Sequence, residues 1–180
     1  FVGRHAVFIV VGLFAALFTA SVPMRVWQKL ALPMFPLALL VLLVVVVPGI
    51  GREVNGARRW LPLGPLNFQP SELMKVAVTL YAADYVVRKQ AHRQGFWRGF
   101  VPMALALVMV GLLLLMEPDL GAFIVIGAIA VGVLFIGGIN LKLFSTLLAG
   151  VMSCFLLLIW LSPWRRERLF VYLDPWNPDN

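Results

Sequence analysis

The chain has 180 residues, 62% of them hydrophobic and 13% charged, with a mean hydropathy of +0.94. Water-soluble domains run near half apolar and a quarter charged, so polar surface is too scarce here for a soluble fold, and disorder is excluded for the same reason. A single cysteine, Cys154, excludes a disulfide scaffold, and two distant histidines, His5 and His92, with no Cys pair offer no zinc site.

The class left is an all-α integral membrane protein, a polytopic transmembrane helix bundle. A spanning helix needs about 20 apolar residues, and six runs qualify. The first two, at 6–24 and 30–47, are apolar nearly all round, with Arg25 and Lys29 in the short joint between them. Residues 48–70 are punctuated by glycine and proline, which predicts a compact loop. The third run, 71–87, differs in carrying Glu72, Lys75, Thr79 and Asp84. A basic connection holding Arg88, Lys89, Arg93 and Arg98 leads to runs at 100–116 and 120–139, joined by Glu117-Pro118-Asp119. The sixth, 143–161, precedes a mixed tail, 162–180. The chain begins without Met and stops in a Pro/Asn/Asp stretch, so we expect an internal fragment of one transmembrane domain.

The net charge of +7 would suggest nucleic acid in a soluble protein. Here the cations stand between apolar runs, where topology and anionic membrane lipids account for them, and we expect no nucleic-acid partner. Counting Lys and Arg does not choose an orientation, since each side of the membrane receives seven. The acidic residues do differ: all but Asp84 lie on or near the side of 48–70 and the tail, together with Trp60, Trp164 and Trp176. Mixed acid, base and aromatic residues resemble a site more than a topology signal. We therefore place that side outside and the Arg88–Gly99 side in the cytoplasm.

Gln69-Pro70-Ser71 opens the third run, with Ser71 a good N-cap and Glu72 favoured in the first turn by the helix dipole. Lys75 lies three residues on, on the face of Glu72. It could snorkel or pair with Glu72. An ionisable group within a span is costly, and we take Lys75 as functional. Asp84, four residues before Arg88, is explained by a local ion pair. Arg58-Arg59-Trp60 reads equally as an interface anchor or as an anion site, since Arg holds phosphate oxygens bidentately. Glu117-Pro118-Asp119-Leu120-Gly121 reads as a tight polar turn.

Gly56-Ala57-Arg58-Arg59-Trp60, Gln69 to Lys75, Glu117 to Gly121, and Arg168-Leu169 through Asp174-Pro175-Trp176 stand in order along the chain. Together they resemble the SEDS family (shape, elongation, division and sporulation), polytopic bacterial membrane proteins. The wording of 51–63 is more similar to the cell-division (FtsW) type than to the elongation type. The resemblance implies roughly ten spans, each able to cross the hydrocarbon core, of which this chain would hold the second to seventh. It implies a peptidoglycan glycosyltransferase whose substrate is lipid II, a disaccharide-pentapeptide on undecaprenyl pyrophosphate. It further implies a class B penicillin-binding protein transpeptidase as partner, other divisome membrane proteins, and a place in the cytoplasmic membrane at the division septum.

The family's key carboxylate lies in the loop after its seventh span, which points to Asp179, with Asp174 as the alternate. We take Asp179, because the family tolerates an amide at the first position. The two acids stand one residue further apart than in the family pattern, with Pro178 as the extra residue. Arg59, Glu72 and Lys75 match family positions, and Arg58 and Glu117 flank them as candidates for substrate binding. Chain growth needs a base near the attacking sugar hydroxyl and cations on the leaving pyrophosphate. Mg²⁺ or Mn²⁺ could share that second task, although the sequence presents no metal-ligand set. A lipid flippase with Glu72 and Lys75 along its path, or a non-catalytic divisome scaffold, are the other readings. The unusual charges cluster on one face rather than through the bilayer, which favours catalysis at the interface.

Overall fold

A computed structural model describes residues 2–54, 57–63, 66–88, 97, 101–138, 140–161 and 163. Six helices lie among them: α1 (Val2–Ser21), α2 (Met24–Val46), α3 (Pro70–Arg88), α4 (Val101–Met116), α5 (Leu120–Ile136) and α6 (Leu141–Trp160). The molecule is a polytopic membrane helix bundle. By length and composition α2 and α6 can each cross a bilayer unaided. The shorter α4 and α5 are roughly 25 Å long at about 1.5 Å per residue, a little under the roughly 30 Å hydrocarbon core.

The most polar helix sits at the centre. α3 packs against α2, α4 and α5. Its buried residues Pro70, Ser71, Met74, Ala77, Val78, Ala82 and Tyr85 fall on one face at helical spacing, which makes one continuous stripe. Glu72, Lys75, Asp84 and Arg88 all fall off that stripe and none is buried. α5 meets α3 with Ala122, Gly127 and Ala130 among its buried residues. Small residues matter here because lipid is as apolar as leucine, so helices associate by close packing rather than by a hydrophobic force. A methyl group at Gly137 would stand 2.5 Å from the Val86 side chain, and one at Gly127 would stand 3.1 Å from Val151 of α6. α1 is the opposite case: every described side chain on it is exposed, and its surface suits lipid.

Two local expectations change. α2 begins at Met24, after an extended Pro23 whose carbonyl accepts from the Val26 amide at 2.9 Å. Arg25 and Lys29 therefore ride on the first turns of α2 rather than in a joint, because Arg, Gln and Lys are good helix formers once proline has set the start. Pro33 and Pro36 lie inside the same helix, which spanning helices tolerate when neighbours re-satisfy the freed carbonyls.

The second change lies within 48–70. This segment folds into a three-stranded antiparallel sheet, β1 (Arg52–Val54), β2 (Ala57–Leu63) and β3 (Leu66–Phe68), in the order β1-β2-β3. Pro62 in the middle strand argues against a strand, since it cannot donate to a ladder. The register removes the objection. β1 pairs with β2 only as far as Trp60, and β3 pairs from Leu61 onward, so Pro62 has one neighbour strand, opposite Asn67. Gly51 pins the sheet to the bundle: a Cβ there would lie 2.3 Å from the Val45 carbonyl oxygen of α2.

Candidate functional site

The sheet, the start of α3 and the α4–α5 turn meet at one end of the bundle, and Asp119 is their meeting point. It is 4% exposed. One carboxylate oxygen, Oδ1, accepts from the Ala122 amide at 3.2 Å and so caps α5. The other, Oδ2, accepts from Gln69 Nε2 at 3.1 Å and from the Ser71 hydroxyl at 3.3 Å. Arg59 Nη1 stands 3.8 Å from Oδ1. A buried carboxylate is stable only when donors and a countercharge replace its water, and here they come from α5, α3 and β2 together.

Arg59 is tied to the same turn by its backbone. Its Nε donates to the Glu117 carbonyl at 3.3 Å, and Nη2 donates to the Pro118 carbonyl. Mid-strand placement on β2 holds the side chain over the turn, while about a third of it stays open to solvent. A guanidinium held this way keeps a fixed direction and an accessible edge, which suits capture of an anion.

Glu117 begins the turn and is 0% exposed. Neither of its carboxylate oxygens has a hydrogen-bond partner among the described residues. Burial, with the Asp119 carboxylate beside it, pushes the Glu117 carboxyl up to about 8, against the lowering pull of Arg59.

Lys75 and Glu72 form an ion pair of 2.7 Å on the first turns of α3. Glu72 is the exposed member, and Lys75 is only about a quarter exposed. The pairing anticipated from their spacing is therefore present. Thr79 continues that face by donating to the Lys75 carbonyl at 2.7 Å. At the opposite end Arg88 Nε donates to the Asp84 carboxylate, the local pair their spacing implies.

Ser71 does not cap α3 as anticipated. Pro70 takes the first helical position, where its missing amide costs nothing, and the Ser71 hydroxyl is spent on Asp119 instead. Of the residues singled out in the sequence, the structure gathers Arg59 and Glu117 at the α4–α5 turn and places the Glu72–Lys75 pair on α3 next to it. Arg58 is half-buried on β2, opposite Glu53. Asp174 and Asp179 lie outside the described residues.

Asp119, Gln69 and Ser71, read from the sequence only as turn, motif and cap residues and not as site candidates, hold the arrangement together. One signal was available. A three-residue turn between two apolar helices leaves little room for water around its acids, so a carboxylate there must find donors in the protein.

Comparisons with known proteins identify the family of the chain. A family model described as "Cell cycle protein" (FTSW_RODA_SPOVE) matches residues 1–180. A protein of Burkholderia thailandensis named "Probable peptidoglycan glycosyltransferase FtsW" is 57% identical over 177 residues, covering 98% of this chain and 38% of its own length. A Pseudomonas fluorescens protein of the same name is 41% identical over 174 residues, covering 97% and 43%. Among solved structures, the Thermus thermophilus rod shape determining protein RodA matches with a TM-score of 0.73 and 35% identity, covering 86% of this chain and 49% of that one. A structure described as "Structural coordination of polymerization and crosslinking by a peptidoglycan synthase complex" matches with a TM-score of 0.73 and 35% identity, covering 97% and 51%. The chain thus spans about two fifths to half the length of these relatives. With the match running from its first residue to its last, this chain belongs to the FtsW/RodA/SpoVE family of cell cycle proteins.

Proposed function

We propose that this chain is part of a peptidoglycan glycosyltransferase that polymerises lipid II at the outer face of the bacterial cytoplasmic membrane, at the division septum. The observation that carries the reading is the one-ended gathering of Arg59, Asp119, Gln69 and Ser71 beside the Glu72–Lys75 pair. A fixed guanidinium and a half-buried ammonium lie where a pyrophosphate anchored in the membrane by its lipid would sit. The names of the relatives support the same activity. The sheet end then faces outward.

In this reading Asp179, or Asp174 in its place, takes the proton from an attacking sugar hydroxyl. The oxygen bonds to the anomeric carbon of the donor as the bond from that carbon to the pyrophosphate oxygen breaks. Arg59, with Arg58 and Lys75, accepts the charge that develops on the departing pyrophosphate. Glu117 belongs to the pocket through the backbone carbonyl that orients Arg59. Mg²⁺ or Mn²⁺ bound with the substrate stays part of the proposal. Among the described residues no cluster of three or more acidic, His or Cys side chains fits such an ion. The family resemblance and a solved peptidoglycan synthase relative support a class B penicillin-binding protein as partner.

The test uses purified full-length protein in detergent with its transpeptidase partner and labelled lipid II, read as glycan strands on a gel. Strand formation is expected. Absence of polymer, combined with lipid II movement across sealed vesicles by the same protein, would replace this reading with transport.

A further inference from the structure

Glu117 is the one fully buried carboxylate among the described residues that the site does not use through its side chain. Its environment is unusual in three ways. Among the described residues neither oxygen has a donor. The neighbouring Asp119 has taken the donors of that end: Gln69, Ser71 and the Ala122 amide. The remaining cation, Arg59, is aimed at the backbone carbonyls of Glu117 and Pro118 and at Asp119. An ionised carboxylate without donors is among the costliest groups to bury. A neutral carboxylic acid is far cheaper in the same place.

We propose that Glu117 is a positioning residue held as a neutral carboxylic acid, so that Arg59 pairs with Asp119 rather than with Glu117 and the guanidinium stays on the Glu117–Asp119 turn. The charged groups that act on Glu117 are Asp119 on its own turn and Arg59 from β2. From α3 and the residue before it the node receives uncharged donors, Ser71 and Gln69, while Glu72 and Lys75 of that helix neutralise each other. With Glu117 neutral, Arg59 and Asp119 sum to no net charge, and an arriving anion meets no surplus repulsion. Ionisation would add a negative charge, and among the described residues the cation that acts on it is Arg59. The guanidinium would be drawn off the two carbonyls, and β2 would loosen from the turn. The proton on Glu117 is thus the latch between the sheet and the bundle.

The direction of the pH response follows from the same placement. The unfolded chain loses this proton near the ordinary value of 4.5, whereas the native protein keeps it to about 8. Between those values the native state binds a proton that the unfolded state does not, so this group's contribution to stability falls as pH rises across the window and is flat above it.

The inference rests on the glycosyltransferase reading only for the use made of Arg59, so the test begins with a readout independent of activity. Full-length protein in detergent, wild type and E117Q, is examined by infrared difference spectroscopy. At neutral pH the wild type should show the carbonyl stretch of a protonated carboxylic acid that E117Q lacks, and the band should disappear as pH is raised through about 8. If E117Q fails to accumulate, the wild-type titration alone decides. No protonated band at neutral pH, or a band unchanged in E117Q, overturns the proposal. The positioning role is then read from the pH profile of lipid II polymerisation. A loss of activity on the alkaline side, present in wild type and removed in E117Q whatever its absolute rate, supports it. An identical alkaline limb in both proteins overturns it. A protein that polymerises nothing, yet shows the titrating band, defeats the activity reading and leaves the proton on Glu117 established.

Discussion

The two turns that flank α5 do the same local job in opposite ways. At one, Asp119 caps α5 through the Ala122 amide; at the other, Asn140 caps α6 through the Lys142 amide at 2.9 Å. Asn140 is exposed and its cap involves only its own helix, with Gly137 and Gly138 making the bend. Asp119 is buried, and three separate elements supply its partners. A cap needs only one acceptor oxygen, and water would satisfy the rest at no cost in structure. Burying a charged cap demands several donors, and collecting them forces the sheet, α3 and α5 to agree on one geometry. The difference separates a turn that ends a helix from a turn that organises a site.

Four experiments sharpen or break that contrast. The largest effect is expected at Asp179. Asp179→Asn in the full-length protein should lower lipid II polymerisation by roughly 10²–10⁴-fold at normal expression, as removal of a general base does. Asp174→Asn should cost about 1 kcal/mol of local order and retain substantial activity. The reverse ranking would move the base to Asp174. Next, Lys75→Met should leave the protein inserted and expressed but largely inactive, since methionine suits lipid and removes only the cation beside Glu72. A near-normal rate in a polymerisation assay would reduce the pair to a snorkelling contact.

The third compares the turns directly. Asp119→Ala should lower stability by about 3 kcal/mol, because it strips the Gln69 and Ser71 donors and leaves Arg59 without its carboxylate. Asn140→Ala should cost about 1 kcal/mol, the value of an ordinary exposed cap. Unfolding in detergent measures both, and equal losses would erase the distinction. The smallest perturbation asks which way the ends face. In a Cys154→Ser background, a cysteine at Asn67 should react with an impermeant thiol reagent from outside, and one at Lys142 should not. Labelling of Lys142 alone would invert the orientation.

The sequence made the helices legible because apolar runs in a membrane protein leave little freedom: a stretch such as 143–161 has nowhere to go but lipid or bundle. It also exposed α3 as exceptional, since Glu72 and Lys75 stand out against that background. What it hid are features that depend on partners far along the chain. The strand nature of 57–63 is masked by Pro62 until the register is known. The start of α2 is masked because its first turns are polar. The role of Asp119 is masked because its partners Gln69 and Ser71 lie 50 and 48 residues earlier. Spacing rules for helices report on neighbours three and four residues apart, and they were right for Glu72–Lys75 and Asp84–Arg88 for that reason.

The distance between Ser71 and Asp119 also sets an order of events during biosynthesis. Ser71, Gln69 and the polar face of α3 leave the ribosome 48 to 50 residues before the carboxylate that receives them. At about 5–20 residues per second this is a delay of roughly 2–10 s. Throughout that interval the hydroxyl and amide must be satisfied by head groups and interfacial water. Their position at the very start of α3, rather than at its middle, makes the wait tolerable. The central helix can therefore enter the membrane early and be locked only when α5 follows.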